Sequence, residues 1–302
     1  MNYKLIGLIV LLLTIAGCAG ETVSTMEGYY SCFGDDTSMI DASFAEYAPT
    51  SSEANTYQPG EEIDIEVILE NKMPTEIPEG KVKVRLMGEA AVDTTFSGAS
   101  VVTNPGLYAV DQQTCMINEE EVELGPISYL KDIDTKITKD IEGQICYDMP
   151  VEVQAFLYFT EDETQIGDTL PPGANPPSGV QVTAIEQEIV DVDADSDTGD
   201  LRFQIYISNV GGGTIVEDLD ECFQHRDTGY REEFDLSIEG PYRPDCPDYV
   251  KLSRDTLEDV ITCYIYDVDI NNLGDNANEI TITLDGFAYE EDISPVTIWL
   301  EP

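Results

Sequence analysis

Residues 62–69 read Glu-Ile-Asp-Ile-Glu-Val-Ile-Leu, and this alternation constrains the fold more than any other stretch of the chain. Ile63, Ile65, Val67 and Leu69 fall on one side of an extended chain, and Glu62, Asp64 and Glu66 on the other. A period of two is that of a half-buried β-strand. The pattern recurs. Val82, Val84 and Leu86 alternate with Lys81, Lys83 and Arg85, and Val151, Val153, Ala155, Leu157 and Phe159 form another row. Further on come Phe203, Ile205 and Ile207; Ile261, Cys263 and Ile265; Ile280, Ile282 and Leu284; and Val296, Ile298 and Leu300. Turn residues separate these runs, and no long helical pattern interrupts them. The expectation is an all-β chain of antiparallel sandwiches.

The organisation expected along the chain has five parts. Residues 1–17 form an export signal, 18–46 a tether, 47–165 a first sandwich, 166–179 a linker stiffened by Pro171, Pro172, Pro176 and Pro177, and 180–302 a second sandwich. The halves share weak internal likenesses. Each has a strand ending in Asn (Asn71, Asn209), a Gly- or Pro-rich turn after it, and a later Cys-Tyr pair (Cys146-Tyr147, Cys263-Tyr264). The segments Tyr57-Gln58-Pro59-Gly60-Glu61 with the strand to Asn71, and Phe203 to Asn209 with Gly211-Gly212-Gly213, resemble the immunoglobulin-like modules of prokaryotic surface proteins. The adhesion-type modules of archaeal cell-surface chains are the nearest likeness. That resemblance implies two tandem immunoglobulin-like β-sandwiches, a spacer, adhesion or binding role, and no catalytic residues.

The start of the chain addresses location. Lys4 precedes an apolar run from Leu5 to Ala16, which is short for a bilayer span of ~20 residues. Ile15-Ala16-Gly17-Cys18 resembles the lipobox of prokaryotic lipoprotein signal peptides. The resemblance implies cleavage before Cys18, lipid on its thiol, and an extracytoplasmic body anchored to the cell membrane.

Composition narrows the partners. Sixty-one acidic residues stand against 14 basic ones, a formal net charge of −47. Nucleic acid, whose binding requires Lys and Arg to displace counterions, is excluded, and anionic headgroups are repelled. Self-repulsion on this scale destabilises a compact state unless salt screens it, and the screening length falls from ~10 Å at 0.1 M to ~3 Å at 1 M. A saline habitat is therefore expected. With Cys18 reserved for lipid, Cys32, Cys115, Cys146, Cys222, Cys246 and Cys263 remain, enough for three disulfides outside the cytoplasm. The internal likeness pairs Cys115 with Cys146 and Cys246 with Cys263, with Cys222–Cys246 as the rival. It leaves Cys32 and Cys222 over.

Few residues point to chemistry. Asp193, Asp195, Asp197 and Asp200 alternate beside Gly199, as carboxylates wrapping a calcium ion do, or as a solvated hairpin tip does. The only histidine, His225, has no Ser or Cys partner identifiable by spacing. Trp299 should face away from the Val296–Leu300 row, and Glu119–Glu121 and Glu290–Asp292 read as solvated charge runs. No enzyme is expected. A calcium-dependent adhesin or surface-layer component, and an extracytoplasmic hydrolase or its accessory subunit, are the alternatives to a plain adhesion, binding or spacer module.

Overall fold

Each of the long alternating runs is a strand in the computed structural model. It describes residues 30, 32–92, 94–104, 106–111, 113–160, 166–193, 195, 198–224, 231–253, 258–270 and 277–302. The chain is all-β, and the one helical piece among the described residues is a 3-10 turn at Gly88–Ala91. The first strands are β1 (Ile40–Phe44), β2 (Thr56–Tyr57), β3 (Glu62–Ile63), β4 (Glu66–Asn71) and β5 (Val82–Met87). Then come β6 (Phe96–Ser97), β7 (Val101–Thr103), β8 (Glu119–Glu123), β9 (Ile127–Tyr129) and β10 (Ile137–Tyr147). β11 (Val151–Leu157), β12 (Val180–Asp193), β13 (Thr198–Asn209), β14 (Thr214–Val216) and β15 (Arg231–Glu239) follow. β16 (Tyr249–Ser253), β17 (Glu258–Asp269), β18 (Asn278–Asp285) and β19 (Ala288–Leu300) complete the series.

The sheets do not divide at residues 166–179. Their strand orders are β1-β4-β8; β3-β9-β6; β14-β19-β10-β5-β7, with β2 against β19; β11-β18-β15-β16; and β12-β13-β17. The last strand, β19, lies along β10 from Ile137↔Leu300 to Tyr147↔Tyr289. β11 lies along β18, Val151 opposite Leu284. Strands β11 to β18, with β14 excepted, therefore form a set nested in the sequence between β10 and β19. The proline-rich segment joins β11 to β12 inside that set. The expected two-domain boundary is corrected accordingly: the chain passes between sets at Asp148–Pro150 and returns at Gly286–Phe287. Among the described residues, every strand pairing is antiparallel except the two-residue contact of β2 with β19.

Burial follows the alternation. Ile63, Ile65, Val67 and Leu69 are fully buried, as are Val82 and Val84 on β5. Each such side chain contributes roughly 1.5–3 kcal/mol. The layers meet at Gly143 on β10: a Cβ there would stand 3.1 Å from Cζ of Phe44 on β1 and 3.2 Å from Cδ1 of Ile293 on β19. In the nested set, Phe203, Ile205 and Ile207 of β13 and Ile280, Ile282 and Leu284 of β18 are buried in the same continuous core.

The tether expected over residues 18–46 also ends early. Tyr30 is buried, its N–H donates to Gly173 O, and its hydroxyl donates to Glu152 O at 2.9 Å. Asp35 accepts from the Gly173 N–H at 2.7 Å, and Asp36 O accepts from Gln181 Nε2 at 2.7 Å. Residues 32–38 thus strap the 171–181 segment to the body before the chain enters β1.

All six described cysteines are bridged: Cys32 to Cys115, Cys146 to Cys222 and Cys246 to Cys263. The Cys115–Cys146 pairing is corrected, because the Cys-Tyr pairs have opposite parity. On β17, Cys263 faces the core and Tyr264 faces outward. On β10, Tyr147 faces the core, so Cys146 lies on the outer face of its sheet under the segment after β14. That segment is also held by Lys83 Nζ on Leu219 O at 2.7 Å and by Arg85 stacked 4.4 Å from the Phe223 ring. The bridges that close 83 and 76 residues each contribute about 4–5 kcal/mol by loop-closure entropy.

The junction is pinned by Tyr289. Its hydroxyl donates to Asn209 Oδ1 at 2.7 Å and accepts from the Gly213 N–H at 2.8 Å. Its ring fills the space a Cβ would take at Gly179, where the ring Cζ would be 2.1 Å away, and at Gly211 and Gly213, where Tyr289 atoms would be 2.7 Å away. Gly179→Ala is expected to cost about 1–3 kcal/mol through overpacking, and Tyr289→Phe a similar amount through two orphaned polar groups. Urea unfolding of each variant checks this; midpoints equal to wild type would show that the ring does not pin the junction.

Candidate binding face

Several titratable groups with shifted pKa values meet at the junction. Lys72 is buried, which pushes its pKa down, but Asp36 and Asp41, each 2.8 Å from Nζ, outweigh that and hold it up. Glu291 is raised by burial, against the hydrogen bonds of Ser38 and Tyr147. The Tyr147 hydroxyl donates to Glu291 Oε1 at 3.0 Å, and burial raises its own pKa well above the ordinary tyrosine value. Ser38 Oγ lies 2.8 Å from Ile40 O and 2.9 Å from Glu291 Oε2, with one proton for two acceptors. These groups fasten the strap and β19 together; none is left facing an open site.

Between the ordinary glutamate value of 4.5 and the raised native value, the folded chain holds a proton that the unfolded chain has lost. Stability then falls as pH rises through that window. Glu291→Gln mimics the protonated form. Denaturation at steps from pH 4.5 upward should show the wild type losing stability relative to Glu291→Gln; parallel curves would contradict the raised carboxyl.

A cleft of about 400 Å³ opens where the chain crosses between the sets. Met73, Pro74, Met149 and Pro150 line it, with Tyr30, Thr75 and Glu152. Its lining mixes the Met and Pro side chains with the polar groups of Tyr30, Thr75 and Glu152.

The outer face of β12-β13-β17 has a different character. Period-two burial on β13 turns Leu201, Phe203, Ile205 and Ile207 inward and presents Asp200, Arg202, Gln204 and Tyr206 outward. Across the sheet, Arg202 stands opposite Glu188 on β12 and Tyr264 on β17, and Gln204 opposite Glu186 and Thr262. Tyr264 and Tyr266 follow each other on the outward row of β17, their rings 6.0 Å apart and 6° from parallel. Tyr266 is 55% exposed, and its hydroxyl reaches Asp245 Oδ2 at 3.4 Å.

The polar side chains of this face hold one another in place. Tyr206 donates to Glu186 Oε2 at 3.0 Å, Arg202 pairs with Glu188, and Gln204 Nε2 donates to Thr262 Oγ1 at 3.4 Å. Glu186 raises the Tyr206 pKa through its hydrogen bond, and burial followed by Asp245 raises that of Tyr266. Both phenols remain neutral donors at neutral pH. A shallow depression of about 110 Å³ lies between Glu186, Gln187, Glu188, Arg202 and Gln204.

The residues singled out from sequence are dispersed around this face or lie elsewhere. Cys18, His225 and Asp197 lie outside the described residues. Asp193 Oδ1 accepts from the Asp195 N–H at 2.9 Å in the turn after β12, and Asp200 Oδ1 accepts from the Asp267 N–H at 3.0 Å. Among the described residues, no three His, Cys, Asp or Glu side chains converge as metal ligands do. Trp299 lies on the outer face of its sheet under Lys136, whose Nζ is 4.9 Å from the ring. The run Glu290–Asp292 is solvated only at Asp292, which is exposed and accepts from Gln144 at 2.8 Å; Glu290 accepts from the Phe223 N–H at 2.6 Å and Glu291 is in the junction. The tyrosine ladder carried a signal in the sequence, Tyr264 and Tyr266 two apart in a strand with Tyr206 on another, but the alignment of β13 with β17 is a tertiary fact.

No protein-family model matches the chain, and a search of curated proteins finds no match.

Proposed function

We propose that this chain is a non-catalytic surface protein, exported, held at the cell membrane by lipid on Cys18, and binding its partner through the outer face of β12-β13-β17. The observation that carries the reading is that face: aromatic and polar side chains, already fixed by mutual contacts, on a sheet whose other side is core. Preorganised side chains lose little entropy on binding, which is what a recognition surface requires. Three disulfides fit an oxidising compartment outside the cytoplasm. No helix among the described residues is long and apolar enough to cross a membrane. With a formal charge of −47, electrostatics would drive the body away from anionic headgroups, so a covalent lipid supplies the attachment.

Fractionation of cells making the full chain tests the anchor. Wild type should sediment with membranes and be extracted by detergent, and Cys18→Ser should not be membrane-held. A wild-type chain recovered from the cytosol with its starting methionine and reduced thiols would overturn the reading.

A further inference from the structure

We propose that the outer face of β12-β13-β17 binds an uncharged glycan strand, with Tyr264, Tyr266 and Tyr206 as stacking rings and the Glu186, Glu188 and Gln204 row as hydroxyl acceptors and donors. This rests on the reading of that face as the chain's binding surface and names its ligand class. The argument is one of charge and hydrogen-bonding complementarity. Among the described residues the face carries Glu186, Glu188, Asp200 and Glu258 against one cation, Arg202, which is itself paired with Glu188. Phosphate or sulfate polymers are repelled. A protein partner would have to bring a cationic donor to each of these carboxylates as it buries them, whereas a neutral hydroxyl meets them without that requirement. A polyhydroxylated chain meets both demands: each hydroxyl donates to a carboxylate or amide oxygen while water keeps the outer lone pairs, and the apolar C–H faces of its rings lie on tyrosine.

The geometry fits an extended strand. Tyr206 is level with Val260 across the sheet, and Tyr264 is four residues further along β17. At ~3.3 Å per residue the two aromatic positions are about 13 Å apart along the strand, with the shallow depression beside the line that joins them. Short oligosaccharides span such a distance with both ends stacked. The ring of Tyr266 extends the ledge to the exposed end, and its hydroxyl is oriented by Asp245.

The test uses the full chain with its disulfides intact, in detergent and in salt. The probes are a panel of neutral hexose hexasaccharides of different linkage, with a polyuronate of equal length as the acidic control. Affinity is measured by calorimetry for wild type, Tyr266→Ala, Tyr264→Ala and Tyr206→Phe, with thermal unfolding of each variant to establish that it is folded. The expected result is binding of at least one neutral hexasaccharide, weakened about tenfold or more by Tyr266→Ala or Tyr264→Ala at unchanged unfolding temperature. Gln204→Ala, which leaves the rings in place, should weaken binding as well. Absence of binding to every neutral probe, preference for the polyuronate, or affinity unchanged by all three tyrosine variants would overturn the proposal. Membrane fractionation is read separately. An anchored chain that binds no neutral glycan sinks the glycan assignment alone, and a glycan-binding chain that is not membrane-held sinks the anchor alone.

Discussion

The ring of Tyr289 occupies a space that exists only because residues 179, 211 and 213 have no side chain, and its hydroxyl satisfies groups on the nested set. Its own strand, β19, belongs to the other set. At this point the chain passes twice between the two, through Asp148–Pro150 and Gly286–Phe287, while β10 pairs with β19 on one side and β11 with β18 on the other. Neither set is complete without a strand that the chain order assigns to the other half. The strap at residues 32–38 and the Cys146–Cys222 bridge close over the same junction. The two sets are joined by two chain crossings and by the contacts of Tyr289 rather than by a single linker.

Charge explains why covalent and apolar contacts dominate. With 14 cations for 61 acids, most carboxylates have no partner to gain from, and exposed ion pairs contribute only ~0–1 kcal/mol each. The cations are concentrated where they hold segments together. Lys72 fastens Asp36 and Asp41, Lys81 reaches Asp148 at the crossover, and Lys83 and Arg85 hold the segment after β14. Four buried aliphatic residues on the β3–β4 run outweigh all of these pairs, at roughly 1.5–3 kcal/mol each. The acidic outer strand β8, Glu119 to Glu123, forms one sheet edge, where like charge discourages pairing with another chain.

The sequence showed where strands run and which residues face the core, because the alternation of Ile63 to Leu69 or Phe203 to Ile207 is a local property. Asn71 and Asn209 were legible as equivalent strand ends for the same reason. Each donates from Nδ2 to the carbonyl four residues on, Thr75 and Gly213, at 2.9 Å. Partnership was not legible. β11 and β19 change sets, and alternation says which face a residue takes but not which strand lies alongside. The Cys-Tyr likeness misled because a one-residue difference in parity reverses the faces, sending Cys146 outward and Cys263 inward. Glu291 read as solvated because its neighbours are acidic, and only the fold brings Ser38 and Tyr147 to it. Of the candidate face, the tyrosines were visible one by one, and their assembly waited on the register of β13 with β17.

The two strand sets interlock, and the cysteine bridges record this covalently. Non-reducing proteolysis of the native chain followed by mass spectrometry reads them directly. The expected result is one linked peptide pair containing Cys146 and Cys222, drawn from opposite sides of the proline-rich segment, and another containing Cys32 and Cys115. A linked pair containing Cys115 and Cys146, with Cys222 free or joined to Cys246, would mean two separately closed halves and would contradict it.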